Sequence, residues 1–430
     1  MKDVSIIEVR AWGRLVGAVT LDPAAAYYAF EYDPAWKRTG AELAPLHMPL
    51  RGTRSTLIFP ALPETTYLRL PALLADALPD DFGNALIDAW MAQKGVEKSS
   101  VTVLDRLAYM GKRAMGALEF RPARGAHNES SAPVEMKELV EEARRFVQGT
   151  FSVDHEAKAA LANIIKVGTS AGGARAKAVI AWNPKTDEVR SGQFDAAPGF
   201  EHWLLKFDGM GKDKELGTGE GYGRIEYAYY LMAKAAGIQM SDSRLLEENG
   251  RAHFMTKRFD REVIDGKTQK HHLQTLCALN HLDFRQRGTH DYSQLFMTAT
   301  KLGLDDDAMS QIFLRMAFNV MARNCDDHTK NFGFMLRQGA LWNLAPAYDV
   351  THAYNPKGEW TYQHLMSVNQ KFRDITRDDL IAVADRFGIR KSENASSDVR
   401  AAIDNWSEFA QRANISSVLQ SRVAKDLLPL

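Results

Sequence analysis

The sequence predicts an α+β fold, and three observations carry that expectation. Strand and turn patterns fill roughly the first 120 residues, helical periodicity dominates the C-terminal part, and the two do not alternate as βαβ units would. The chain has 430 residues, 45% hydrophobic, 25% charged and 10% aromatic, enough for roughly two to three domains with their own cores. Its 54 Lys and Arg balance 54 Asp and Glu, which argues against a chain whose main role is to hold nucleic acid and gives no support for a polybasic membrane anchor. No run of 18 or more uncharged apolar residues is present, and Met1 to Gly13 carries Lys2, Asp3, Glu8 and Arg10 rather than a signal-peptide layout. Two cysteines, Cys277 and Cys325, make neither a disulfide framework nor a structural zinc site. A reducing, cytoplasmic compartment and no membrane partner are expected.

In chain order, Val4 to Val9 and Leu15 to Leu21 read as strands punctuated by Gly13 and Gly17. Six prolines between Pro34 and Pro71 make long helices unexpected from Tyr28 to Pro71. Leu73 to Ala92 is helical with interruptions at Pro79 and Gly83, and Ala117 to Arg121 is a short strand. Pro122 to Pro133 is the strongest linker candidate, so a domain boundary is expected there. Met136, Leu139, Val140, Ala143 and Val147 mark an amphipathic helix. Val167 to Ile180 reads as strand, small-residue loop, strand; Trp203 to Phe207 and Ala252 to Phe259 as strands; Glu226 to Ala236 as a helix ended by Gly237. The remainder is mainly helical, with Met309, Ile312, Phe313, Met316, Val320 and Met321 on one face and Thr376-x-x-Asp379 as a capping pair.

Chemistry concentrates in Asn324-Cys325-Asp326-Asp327-His328-Thr329-Lys330-Asn331, followed by Pro346-Ala347-Tyr348-Asp349. Asp326 and Asn331 have the D-x-x-x-x-N spacing of a phosphoryl-transfer loop, in which the Asp orients a substrate hydroxyl and the Asn holds magnesium. Asp349, after a β-hairpin over Phe332 to Tyr348, stands where a second hard oxygen ligand is needed. The plain alternative is a solvated polar loop with an N-cap Asp. A metal-dependent hydrolase using Asp327 and His328 is a further alternative, although His272, His281 and His290 are scattered rather than set at ligand spacing. Gly168 to Lys177 is rich in glycine and suited to close phosphate approach, yet Ala174 occupies the lysine position of a P-loop, so a tight turn is the competing reading. Lys206 sits in an apolar strand, from which it either snorkels to the surface or binds phosphate, with Glu226 as a potential partner.

Taken together these motifs resemble the HipA family of bacterial serine/threonine kinases, the toxins of type II toxin–antitoxin modules. Pro49-Leu50 and Leu78-Pro-Asp-Asp-Phe-Gly83 resemble the family's N-terminal subdomain, and Ser170-Ala-Gly-Gly-Ala-Arg-Ala-Lys177 resembles its S-x-x-G-A-x-x-K loop. The resemblance implies a two-lobed protein-kinase-like fold behind a β-rich N-terminal subdomain. Its domains would be 1–132, a kinase N-lobe-like region 133–262 with loop, lysine and hinge, and a mainly helical C-lobe-like region 263–430. It implies ATP contacts at Gly172, Gly173, Ala174, Arg175, Ala176, Lys177 and Lys206, at Lys257, Arg258 and Phe259 of the hinge strand, and at His328, Thr329, Lys330, Asn331, Tyr348 and Asp349. Asp326 would be catalytic, Asn331 and Asp349 would hold Mg2+, and Ser170 would be autophosphorylated. Lys257 stands where the family is often acidic, and Asp327 adds a second carboxylate outside the four-residue gap. Implied partners are a helix-turn-helix antitoxin like HipB, operator DNA through that antitoxin, and a protein substrate such as an aminoacyl-tRNA synthetase. A nucleotide-binding pseudokinase corepressor is the alternative function.

Overall fold

The structure, a computed structural model, describes residues 4–52, 55–79, 81–124, 134–147, 176–193, 195–209, 212–213, 217–218, 221–264 and 267–430. It divides into two compact units: Met1–Met210 with Met255–Gln274 and Met335–Leu341, and Gly211–Phe254 with Thr275–Phe334 and Trp342–Leu430. Residues on both sides of 122–133 therefore fall in the first unit.

The first unit opens with an antiparallel sheet of β1 (Ile6–Ala11), β2 (Arg14–Asp22), β3 (Tyr27–Tyr32), β4 (Thr56–Leu57) and β5 (Leu118–Arg121), in the order β4-β3-β2-β1-β5. Ile7, Val9 and Ala11 of β1 are fully buried while Ile6 and Glu8 are exposed, the alternation of a half-buried strand. Trp12 and Gly13, both at positive φ, make the tight β1–β2 turn. Gly17 does not punctuate a strand: it lies inside β2, where a Cβ would stand 2.1 Å from the Glu31 carbonyl oxygen of β3. The proline-rich stretch also contains β3, because the first of its prolines, Pro34, lies just past that strand and instead starts a short helix capped by Asp33. Gly83 is buried within helix Asp81–Gln93 rather than breaking it. Helix Met136–Val147 occupies the expected span, with Leu139, Val140 and Ala143 turned inward.

A second sheet contains β6 (Lys177–Trp182), buried at all six positions and paired antiparallel with β7 (Val189–Ser191) and β8 (Glu201–Lys206). The preceding glycine loop lies outside the described residues.

The second unit is mainly helical. Helix Asp306–Met321, capped by Asp305, carries the expected stripe: Ile312, Phe313, Met316, Val320 and Met321 are fully buried, and acidic residues fill its first turn. Helix Tyr222–Ala235 packs so closely on the chain at Ala252 that a Cβ on Gly223 would meet its carbonyl oxygen at 2.0 Å. On the same helix Tyr229 is buried and its Oη donates to Ala322 O (2.6 Å) at the end of helix Asp306–Met321. Thr376 and Asp379 form the expected capping box at the start of helix Arg377–Phe387. Both cysteines are buried thiols outside any disulfide. Among the described residues no helix is long and apolar enough to cross a membrane.

Candidate active site

Helix Asp306–Met321 stops at Ala322, and Arg323 at φ 55° turns the chain into the Asp326 loop. There Cys325 N donates to Ala353 O (3.0 Å) and Ala353 N to Arg323 O (3.1 Å), which holds the loop in an extended path. An extended backbone alternates its side chains. Cys325 and Asp327 point inward and are fully buried, whereas the Asp326 side chain between them is 49% exposed. The Asn331 amide Nδ2 donates to Asp326 O (2.8 Å), closing the loop across the D-x-x-x-x-N spacing. His328 Nε2 stands 3.9 Å from Asp326 Oδ1, and its ring lies 5.2 Å from that of Phe284. Lys330 Nζ sits over the same Phe284 ring, and Tyr348 Oη donates to Lys330 O (2.9 Å). Thr329 is fully buried with its hydroxyl donating to Leu282 O, so its side chain faces the core.

Asp349 follows the hairpin of Gly333–Leu336 and Trp342–Leu344 and has φ 53°. A non-glycine residue in the left-handed region carries strain of about 1–3 kcal/mol, of the kind found at functional sites. Asn331, Tyr348 and Asp349 line one small cleft together with Arg315, Asn319, Asn324 and Asp327. Arg315 is buried, donates through Nη2 to Ala345 O, and has its pKa pushed down to about 10 by burial, with Tyr348 opposing. Among the described residues no three His, Cys, Asp or Glu side chains are grouped to hold a metal ion. Within that lining Asp349 and Asn331 offer a carboxylate and an amide oxygen, hard donors that suit Mg2+ when phosphates and water complete its shell. The carboxylate that the hydrolase alternative would pair with His328 is already engaged, which weighs against that reading: Asp327 accepts from Tyr292 Oη (2.8 Å), His364 Nδ1 (2.9 Å) and Leu365 N (2.8 Å).

In the first unit, Lys177 of β6 stands directly opposite Lys206 of β8, and both are buried. Ala176 O accepts Phe207 N (3.1 Å), extending that pairing by one step. Lys257 Nζ pairs with Glu201 (2.6 Å). Arg258 donates from Nε and Nη2 to the two Asp260 oxygens (2.9 and 2.7 Å), and its backbone N donates to His202 O (2.9 Å). Phe259 is half-buried between them. Glu226 is buried in helix Tyr222–Ala235 of the second unit. Ser170, Gly172, Gly173, Ala174 and Arg175 lie outside the described residues.

Two clusters went unread in the sequence. The first is the Asp327 network with Tyr292 and His364, whose members are 35 and 37 residues from Asp327. The second is Asp260, fully buried, which also binds Arg261 Nη1 (2.8 Å) and accepts Gly116 N (2.7 Å), while Arg261 donates to Gly116 O and Ala114 O. Only the density of charge in Lys257-Arg-Phe-Asp-Arg261 hinted at it. Burial by itself would raise the Asp260 pKa, but Arg258 and Arg261 hold it below the ordinary carboxylate range.

A family model for the HipA N-terminal domain matches residues 7–121 and one for the HipA-like C-terminal domain matches residues 169–412. The chain is 21% identical over 406 residues to the serine/threonine-protein kinase toxin HipA of Shewanella oneidensis, covering 90% of this chain and 84% of that one. Its fold is similar to the HipA chain solved in the Shewanella oneidensis MR-1 complex of HipA, HipB and operator DNA, with a TM-score of 0.67 at 16% identity over 97% of this chain and 94% of that one. A partial likeness, TM-score 0.32 at 13% identity over 52% of this chain and 91% of the other, extends to the Helicobacter pylori proinflammatory kinase CtkA. On the C-terminal match, which spans more than half its length, and on the N-terminal match that precedes it, this chain belongs to the HipA family.

Proposed function

We propose that this chain is an ATP- and Mg2+-dependent serine/threonine-protein kinase acting as the toxin of a type II toxin–antitoxin module. The observation that carries the reading is the Asp326 loop: an exposed carboxylate between two buried residues, its carbonyl tied to Asn331, with Asn331 and the strained Asp349 on one cleft wall. The name of the Shewanella relative supports it. Mg-ATP would supply the phosphoryl group and the charge neutralisation that this transfer requires.

This chain's own groups then have separate tasks. Asp326 accepts a hydrogen bond from the substrate hydroxyl and takes its proton. Asn331 braces the loop through Nδ2, which leaves its Oδ1 to face the cation with the Asp349 carboxylate. Lys177 and Lys206 would neutralise phosphate oxygens. Ser170 is the proposed autophosphorylation site. A phosphate there adds about −1.5 to −2 charge and would lower nucleotide affinity.

The HipA–HipB–operator complex supports a HipB-like antitoxin as partner. The proposed partner is a helix-turn-helix protein through which DNA is reached, and the proposed substrate is a translation component such as an aminoacyl-tRNA synthetase. The deciding experiment is transfer of labelled γ-phosphate to protein by the wild type and by Asp326→Ala. Label that depends on Asp326 supports the kinase; nucleotide binding without label in either protein favours the corepressor.

A further inference from the structure

Cys325, His364 and Asp327 are connected in the order of a nucleophilic triad: Sγ to Nε2 3.8 Å, and Nδ1 to Asp327 Oδ2 2.9 Å. They do not serve as one, because Cys325 and Asp327 are fully buried and His364 is 1% exposed, so no substrate reaches the sulfur. Their placement around Asp326 gives them another task. Asp326 carries its exposed carboxylate on a backbone whose neighbours are both tied down: Cys325 N to Ala353 O on one side, and the Asp327 carboxylate to Tyr292 Oη, His364 Nδ1 and Leu365 N on the other. Those ties lead into rigid parts of the unit. Tyr292 begins helix Tyr292–Lys301, and its Oη also accepts from Asn319 of helix Asp306–Met321 (3.0 Å). His364 is held by its own N–H to Phe372 O (2.9 Å), two residues before the short parallel pairing of Met366–Ser367 with His290–Asp291.

We infer that Asp327 and His364 form a positioning pair that fixes the Asp326 loop. A buried carboxylate accepting three hydrogen bonds is held in one orientation, and its position one residue from Asp326 sets the direction in which the catalytic carboxylate projects. The inference rests on the kinase reading for its kinetic part, and its structural part stands apart from activity.

The test compares His364→Leu, His364→Asn and Asp327→Asn with the wild type in the full chain. Asn places an amide donor where imidazole Nδ1 stands; Leu cannot donate. For His364→Leu and Asp327→Asn the expected result is a loss of kcat of about tenfold to a hundredfold with KM for ATP unchanged. His364→Asn should recover much of that loss. Backbone amide exchange should quicken over residues 325–331 in His364→Leu while the first sheet, β1 to β5, is unaffected. Unchanged loop exchange in both His364→Leu and Asp327→Asn overturns the pair, as does a His364→Asn variant no better than His364→Leu. A wild type that transfers no phosphate refutes the kinase reading instead, and loop exchange alone then decides for or against the pair.

Discussion

Asp326 and Asp327 are adjacent and chemically alike, yet one is half exposed and the other fully buried. Spacing to Asn331 separates them in the sequence; the extended backbone separates them in space. Asp326→Asn keeps shape and removes the base, so phosphoryl transfer should fall by about 10²- to 10⁴-fold. Urea unfolding should move by less than about 0.5 kcal/mol, as for other half-exposed surface changes. A stability loss as large as the activity loss would mean that Asp326 is part of the fold rather than of the chemistry. Asp260 is the opposite case: no step of the chemistry is assigned to it, and it closes a buried charge cluster with Arg258, Arg261 and Gly116 N. Removing one member leaves the others buried without their acceptor, so Asp260→Ala should cost about 3–5 kcal/mol. Chemical denaturation followed by Trp fluorescence checks it, and a cost below about 1 kcal/mol would show that water replaces the carboxylate.

Elements were legible where a local rule governs them. The stripe on Asp306–Met321 and the Thr376–Asp379 box are set by residues within one helix, so periodicity and capping chemistry suffice. Thr376 Oγ1 accepts Asp379 N and donates to Asp379 Oδ2, and Thr376→Ala should cost about 1 kcal/mol in thermal unfolding. No loss of stability in that variant would show that Lys371 and Asn369 hold Asp379 without the cap. Legibility failed where a partner distant in sequence decides. Gly17 looked like punctuation because its neighbour Glu31 is on another strand, and His364 drew no reading because Asp327 is 37 residues away. The opposition of Lys177 and Lys206 was hidden for the same reason: each was legible singly as a phosphate candidate, but the β6–β8 register that pairs them is not a local property.

On the scale of the whole chain, buried titratable groups give the two units opposite responses to alkali. In the second unit burial by itself lowers the His364 pKa, but Cys325 and Asp327 beside the ring outweigh it and push it up to about 10. A folded pKa above the unfolded value near 6.5 means that the native state binds the extra proton between those values. The contribution of His364 is thus complete below about pH 6.5 and is lost as pH rises through about 10. In the first unit burial pushes His202 down to about 3 and His272 to about 4, so their contribution is complete above about 6.5 and lost as acid is added. Burial, with Arg261 second, also lowers Lys270 to about 8 against the pull of Glu119, so the first unit gains stability between there and the unfolded lysine value of about 10.4. Hydrogen exchange at pH 7 and pH 9.5, corrected for intrinsic rates, should therefore show the second unit opening around 325–331 and 364–367 while β1 to β5 and β6 to β8 hold. His364→Leu should remove the alkaline part of that opening. Equal loosening of both units on the alkaline side, or an opening of the second unit that persists in His364→Leu, would show that His364 does not carry its charge into the native state.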